Sequence, residues 1–213
     1  LTVISSFLDL LLESHPSEDQ KTYLDRIKKS TERLKEITDD TLILTHHMTG
    51  LMKWNPQPGS LNEALRSSLG RFTNELHKKE LQTRVMLSDK KKKPILFDTT
   101  LLQRALMHLI SNAIRFTPSN SEIMIETQLH PNGQFFLIEN EGPKIPDTVL
   151  NQLQTPFKLQ NEIMNHSKGL GLGLSVAEAI LQKHQSQLKI ENINVSESPN
   201  SNSRIRASFV LAY

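Results

Sequence analysis

The segment Lys168-Gly169-Leu170-Gly171-Leu172-Gly173-Leu174-Ser175 alternates glycine with leucine and runs at once into a helix-compatible stretch, Val176 to Leu181. Glycine lets a ligand approach the backbone closely. A helix start presents unpaired N–H groups and the positive end of the helix dipole. Together these form a candidate phosphate cradle. The same alternation also describes a tight turn whose leucines pack into a core, and the segment alone fits both readings. Three further groups keep it company. His108, Asn112 and Arg115 fall at i, i+4 and i+7, on one face of a helix. The Asn112 carbonyl oxygen is a hard ligand suited to Mg²⁺, which keeps several waters and binds together with phosphates. Arg115 could pair with a phosphate, and Phe116 offers an aromatic surface. Read blandly, this is the polar face of a core helix. The run Ile138-Glu139-Asn140-Glu141-Gly142-Pro143-Lys144-Ile145-Pro146 ends a strand on a polar residue and a glycine turn. A side-chain oxygen there could accept a hydrogen bond from a purine amino group, or the run is an ordinary turn. Thr155-Pro156-Phe157-Lys158 lies in a loop before the glycines.

The elements that must position these residues follow from periodicity. Leu1, Ile4, Leu8, Leu11 and Leu12 recur at helical spacing, widened by Val3, Phe7 and Leu10. The breaker cluster Ser14 to Asp19 follows. Tyr23, Leu24, Ile27, Leu34, Ile37, Leu42 and Leu44 then mark a second helix of roughly 28 residues. The short connection predicts an antiparallel hairpin, and its unburied faces ask for a second copy to close a four-helix bundle. Pro56, Pro58 and Gly59 place a linker at 51–60, dividing a hairpin (1–50) from an α+β domain (61–213).

Within the second domain, Leu61, Ala64, Leu65, Leu69, Phe72 and Leu76 predict one amphipathic helix, and Thr83, Val85 and Leu87 a strand. Asp98 is a candidate cap for a helix that runs to about Phe116 and stops at Thr117-Pro118. Ile123 to Leu129 and Phe135 to Asn140 predict two strands joined by the turn Pro131-Asn132-Gly133. After the glycine turn and its helix come strands at Leu188 to Ile193 and Ile205 to Leu211, with Ser196 to Ser203 as a hairpin tip.

Composition narrows the classes. The chain has 213 residues, 37% hydrophobic, with formal net charge +2, which gives no argument for nucleic acid. Lys90-Lys91-Lys92-Lys93 lacks interleaved aromatics and reads as a solvated loop. Cysteine is absent, which removes disulfides and thiol chemistry. No apolar run approaches the ~20 residues that span a bilayer. The chain opens on Leu1 inside a periodic segment and is expected to be a piece of something longer.

Taken in order, Ser111-Asn112-Ala113-Ile114-Arg115-Phe116, Glu141-Gly142-Pro143-Lys144-Ile145-Pro146, Pro156-Phe157 and Gly169-Leu170-Gly171-Leu172-Gly173-Leu174-Ser175 resemble the N, G1, F and G2 boxes of sensor histidine kinases. The hairpin resembles that family's dimerisation and histidine-phosphotransfer domain, with Leu1 to Ile4 similar to the residues just after the phosphoacceptor box. The resemblance covers essentially the whole chain. It implies an ATP-binding α/β sandwich of the Bergerat type behind a dimeric four-helix bundle. Asn112 would hold Mg²⁺, with His108 a poorer candidate ligand. Arg115, Phe116, Asn140, Gly142, Lys168, Gly169, Gly171, Gly173 and Leu174 would contact ATP, Asn140 standing where the family has an adenine-binding aspartate. The segment from about Asp147 to Lys168 would be a lid. The γ-phosphoryl group would pass to a histidine of the homodimer, expected before Leu1, and on to the receiver domain of a response regulator. The parent would be anchored in the cytoplasmic (inner) membrane with this portion in the cytoplasm.

Departures from the family accompany the likeness. No phosphoacceptor histidine is present; His15, His46 and His47 read as solvated. Asn140 replaces aspartate, Lys144 a second G1 glycine, His108 the first N-box asparagine, and Leu159 the lid arginine. Gln185-Ser186 stands for Gly-Gly after the G2 helix, and Asn202-Ser203-Arg204 for the Gly-Thr of the last hairpin. These changes leave two expectations: a working kinase core, or a degenerate kinase-like domain acting as a phosphotransfer or protein-interaction scaffold.

Overall fold

The computed structural model describes residues 2–88, 95–147, 150, 172–193 and 203–213. In chain order the elements are α1 (Thr2–Glu13), α2 (Glu18–Met48), β1 (Gln57–Gly59), α3 (Leu61–Gly70), α4 (Thr73–Lys78), β2 (Gln82–Leu87), β3 (Ile95–Phe97), α5 (Thr99–Phe116), β4 (Glu122–His130), β5 (Gly133–Gly142), α6 (Gly173–Lys183), β6 (Lys189–Ile193) and β7 (Ser203–Ala212). Lys168, Gly169, Gly171, the Thr155 to Lys158 loop, the Lys90 to Lys93 run, most of the expected lid and the tip of the last hairpin lie outside the described residues.

The hairpin turns where Ser17 caps α2. Its hydroxyl accepts from the Gln20 N–H, and the Gln20 side chain accepts from the Ser17 N–H at 2.9 Å, a reciprocal capping box. Glu18 and Asp19, read as part of the breaker, instead fill the first turn of α2, where carboxylates favour the helix dipole. Lys28 on α2 reaches Asp9 on α1 at 2.9 Å. With 31 residues against 12, α2 runs well past α1. Phe7, Leu10, Tyr23, Ile27 and Leu34 remain exposed on the hairpin. The later part of α2 is covered differently: Leu44 is buried in the main core with Ile43 beside it, so the α+β unit takes up part of the face that the sequence assigned to a second copy.

The main sheet has strand order β2-β4-β5-β7-β6, with β2 parallel to β4 and the other pairs antiparallel. Alternation sends Ile123, Ile125, Phe136, Ile138, Phe209 and Leu211 to one face. Leu65 of α3, Leu102, Leu106 and Leu109 of α5, and Val176, Ile180 and Leu181 of α6 join them in the core, giving the two-layer sandwich expected. On the opposite face the buried Glu139 carboxylate pairs with Arg206 on the neighbouring strand. No helix among the described residues is long and apolar enough to cross a membrane.

Three local departures have physical reasons. The helix expected from Leu61 to Leu76 is two helices, broken at Gly70-Arg71-Phe72. Leu65, Leu69, Phe72 and Leu76 all face the core across the break, so the apolar period survives it. The stretch 51–60 carries β1, which pairs antiparallel with β3, and its Met52 is buried in the core. Gln185, where the resemblance implies glycine, turns the chain out of α6 at φ +54°, a left-handed conformation. The turn is closed by the Ser186 N–H donating to the Leu181 carbonyl at 2.9 Å.

Asp98 knits these parts together. Its Oδ1 accepts from the Leu101 N–H at 3.0 Å, the expected cap of α5. Its Oδ2 accepts from the Asn55 N–H at 3.0 Å, fastening the stretch that follows α2. Its own N–H donates to Nε2 of His184 at the end of α6, and the Trp54 ring meets that imidazole edge-on.

Candidate functional site

The C-terminal end of α5 meets the end of β5, and the meeting is close. A Cβ added to Gly142 would lie 3.4 Å from the Phe116 carbonyl oxygen and 3.4 Å from Nδ2 of Asn140. Phe116, Asn140 and Gly142, expected to share a site, are therefore neighbours. Asn140 is buried, and its Nδ2 donates to the Glu141 carbonyl at 2.8 Å. That bond leaves Oδ1 as the acceptor half of the amide. Phe116 is 44% exposed, and the Arg115 guanidinium stands 5.4 Å from the centre of its ring. The loop beyond Gly142 is held by Asn192 of β6, which the sequence reading missed. Its Oδ1 accepts from the Ile145 N–H at 3.0 Å and its Nδ2 donates to the Ile145 carbonyl at 2.8 Å.

Two turns earlier on α5 lies a second junction. Nε2 of His108 is 3.0 Å from Oδ1 of Asp40 on α2, and Arg104 donates to the same oxygen through Nε at 2.9 Å and Nη2 at 2.8 Å. Nη2 of Arg104 also donates to the Glu36 carbonyl at 2.8 Å. Burial opposes ionisation of Asp40, but the hydrogen bonds and charges of His108 and Arg104 outweigh it and hold the carboxyl below its usual range. A Cβ on Gly173, the first residue of α6, would come 2.9 Å from Nδ1 of His108. His108, entered above as a candidate metal ligand, thus has its ring engaged by Asp40 and packed against Gly173. His47, read as solvated, instead contacts Oε1 of Gln182 on α6 at 3.0 Å.

Asn112 sits between the two junctions, one turn from His108 and one turn from Phe116. No hydrogen bond ties its amide to another described residue. Leu174 packs at the edge of the core. It is the one expected residue among those described that borders a separate cavity of about 570 Å³, lined also by His130, Phe135, Glu178, Ser186 and Val210. That cavity lies toward the opposite end of β5 from Asn140 and holds none of the polar groups gathered at α5. Its size is no reason to place the chemistry there. Among the described residues no three carboxylates or imidazoles converge to hold a metal.

Ile114, Arg115 and Thr117 at the end of α5 are gripped from below. Nζ of Lys79, the residue after α4, donates to their carbonyls at 2.7, 3.0 and 2.9 Å. No local signal announces this grip, since Lys79 stands in the charged run His77-Lys78-Lys79-Glu80.

Comparison with known proteins matches residues 97–212 to the histidine kinase-, DNA gyrase B- and HSP90-like ATPase family, and residues 1–50 to the His Kinase A (phospho-acceptor) domain. The chain is 25% identical over 159 residues to hybrid signal transduction histidine kinase A of Dictyostelium discoideum, an alignment covering 70% of this chain and 7% of that protein. It spans a small part of that relative's length. Solved structures share its fold, two histidine kinases among them. Full-length ShkA in complex with AMPPNP superposes with a TM-score of 0.70 at 17% identity, over 99% of this chain and 45% of that one. Histidine kinase ThkA in complex with the response regulator protein TrrA gives 0.61 at 20% identity, over 99% and 57%.

Proposed function

Because the chain belongs to the histidine kinase-, DNA gyrase B- and HSP90-like ATPase family, we propose that it is the ATP-binding core of a sensor histidine kinase. The observation that carries this reading is the apposition of Phe116, Asn140 and Gly142 at the junction of α5 and β5. A purine needs an aromatic or apolar surface, an acceptor for its amino group and a backbone without a side chain in the way. Those three residues offer them together. Asn140 accepts through Oδ1 but without the charge of an aspartate, so the contact is weaker than a charge-assisted one.

The uncommitted amide of Asn112 suits Mg²⁺, which takes few protein ligands and completes its shell with waters and phosphate oxygens. Bound there, the ion would neutralise charge on the phosphates. Arg115 would meet a phosphate, and Lys168, Gly169, Gly171, Gly173 and Leu174 would supply the turn around the others. Asn112, Arg115 and the start of α6 then act by orienting the triphosphate and offsetting its charge, the main sources of rate in phosphoryl transfer. The acceptor is a histidine on a longer parent chain, dimerised through the exposed faces of α1 and α2 and anchored in the cytoplasmic membrane. From that histidine the phosphoryl group passes to a receiver domain. The match of residues 1–50 to a phospho-acceptor domain supports this route, and we propose the domain limits 1–50, 51–60 and 61–213 on the same ground.

Calorimetric titration with ATP and ADP, with and without Mg²⁺, tests the reading. Micromolar to submillimolar binding is expected, strengthened by Mg²⁺ in the wild type but not in Asn112→Ala. Absence of binding at millimolar nucleotide would sink it.

A further inference from the structure

Lys79 does more than decorate the surface. The last carbonyls of a helix lack intrahelical partners and carry the negative end of its dipole. At the end of α5, Lys79 takes three of them, from Ile114, Arg115 and Thr117, and so uses all three protons of its ammonium group. The carbonyl between them, that of Phe116, is the one that faces Gly142. The lysine is itself well anchored. It follows α4 directly, and Glu80 behind it turns the chain at φ +55°. Its own carbonyl accepts from the Asn120 N–H at 3.2 Å, on the loop that leaves α5. One ammonium group therefore fixes the height and rotation of the last turn of α5, the turn that presents Arg115 and Phe116 and faces the strand end bearing Asn140 and Gly142.

We propose that Lys79 is a positioning residue for nucleotide binding: through the carbonyls of Ile114, Arg115 and Thr117 it holds Phe116 against Gly142 and so keeps the purine wall in register. This rests on the nucleotide reading above. A positive point charge is what the geometry requires, because three carbonyls converge on one nitrogen. A planar guanidinium directs its N–H groups in a fixed fork and cannot reproduce that convergence.

The test compares the wild type with Lys79→Met and Lys79→Arg, using ADP titration of the 213-residue chain and autophosphorylation of the full-length kinase. Lys79→Met is expected to weaken ADP binding about tenfold and to raise KM for ATP similarly with kcat within twofold. Lys79→Arg should fall between. A loss of fold stability alone would not split KM from kcat in this way. If Lys79→Met does not fold, Lys79→Arg decides: a threefold to fivefold loss of ADP affinity with its melting temperature nearly unchanged supports the proposal. Wild-type affinity in either folded variant overturns it. A wild type that binds neither ADP nor ATP overturns the nucleotide reading, and this one with it.

Discussion

The backbone N–H of Asp98 donates to Nε2 of His184 at 3.1 Å, joining the first turn of α5 to the last of α6. Nδ1 of the same ring lies 2.8 Å from the Ile180 carbonyl and must donate to it, so both bonds are met only by the neutral Nδ1–H tautomer.

Burial lowers the pKa of His184, against the smaller opposing pull of the Ile180 carbonyl and Asp98. Folded chains therefore bind fewer protons than unfolded ones below about pH 6.5, the value of a free imidazole. The stabilisation from this group is complete above that pH and is lost as pH falls through the folded-state value. Melting curves from pH 7.5 to 5 should show the loss in the wild type and a flatter dependence in His184→Gln. The variant should also be less stable at neutral pH by about 1–3 kcal/mol, since Asp98 N–H loses a fitted acceptor. Parallel pH profiles for the two proteins would refute the assignment.

Asp40 joins α2 to α5 through Arg104 and His108. Asp40→Asn keeps the shape and removes the charge. Breaking a fully buried pair costs about 3–5 kcal/mol, and the partial exposure of Arg104 reduces this to about 1–2. Because the Asp40 carboxyl is held low, its contribution is present above about pH 3.9 and is lost as pH drops through its folded-state value. Spin labels at the exposed Lys35 and Arg66 should report a broader distance distribution in Asp40→Asn at neutral pH. An unchanged distribution would show that apolar packing around Leu44 docks α2 by itself.

Gln185 occupies a left-handed position at the end of α6 with a side chain that position disfavours. Gln185→Gly should stabilise the chain by about 1 kcal/mol, seen as a melting temperature raised about 2–4 °C. Beside it the Ser186 hydroxyl is buried without a hydrogen-bond partner. Ser186→Ala should therefore be neutral or mildly stabilising. A drop in melting temperature for Gln185→Gly would contradict the backbone reading of this turn, and a drop for Ser186→Ala would contradict the unpartnered hydroxyl.

Gly142 separates folding from binding. Its added Cβ meets nothing closer than 3.4 Å, so Gly142→Ala should fold with a stability change below about 1 kcal/mol. ADP affinity should nevertheless fall about tenfold, because the methyl group enters the space assigned to the base. A folded variant with wild-type affinity would remove Gly142 from the site.

What could be read in advance was local. Asp98 as a cap, Pro131-Asn132-Gly133 as a hairpin turn and the Thr117-Pro118 stop each depend on a few adjacent residues, and all three are found. The order of the boxes identified Phe116, Asn140 and Gly142 as neighbours although more than twenty residues of chain separate Phe116 from Asn140. The misses are contacts with no local signature. Asp40 follows Asp39 in a polar stretch of α2, and nothing nearby announces partners at Arg104 and His108. Lys79 looks like one more surface charge. Met52 and the strand Gln57 to Gly59 sit among prolines that suggest a plain linker. In the helix broken at Gly70 the apolar stripe continued in phase, so periodicity concealed the break.

Seen mechanically, α5 is a rod of 18 residues, about 27 Å long, clamped at both ends. Asp98 ties its start to the segment leaving α2, and Lys79 grips its finish. A rigid helix passes torsion along its length without any side chain between the ends having to rearrange. Without the grip of Lys79, a twist of roughly 20° applied at Asn55 would swing Phe116 by about 2 Å at a side-chain radius of about 5 Å. The distance from the hairpin to the proposed purine wall is thus bridged by one stiff axle.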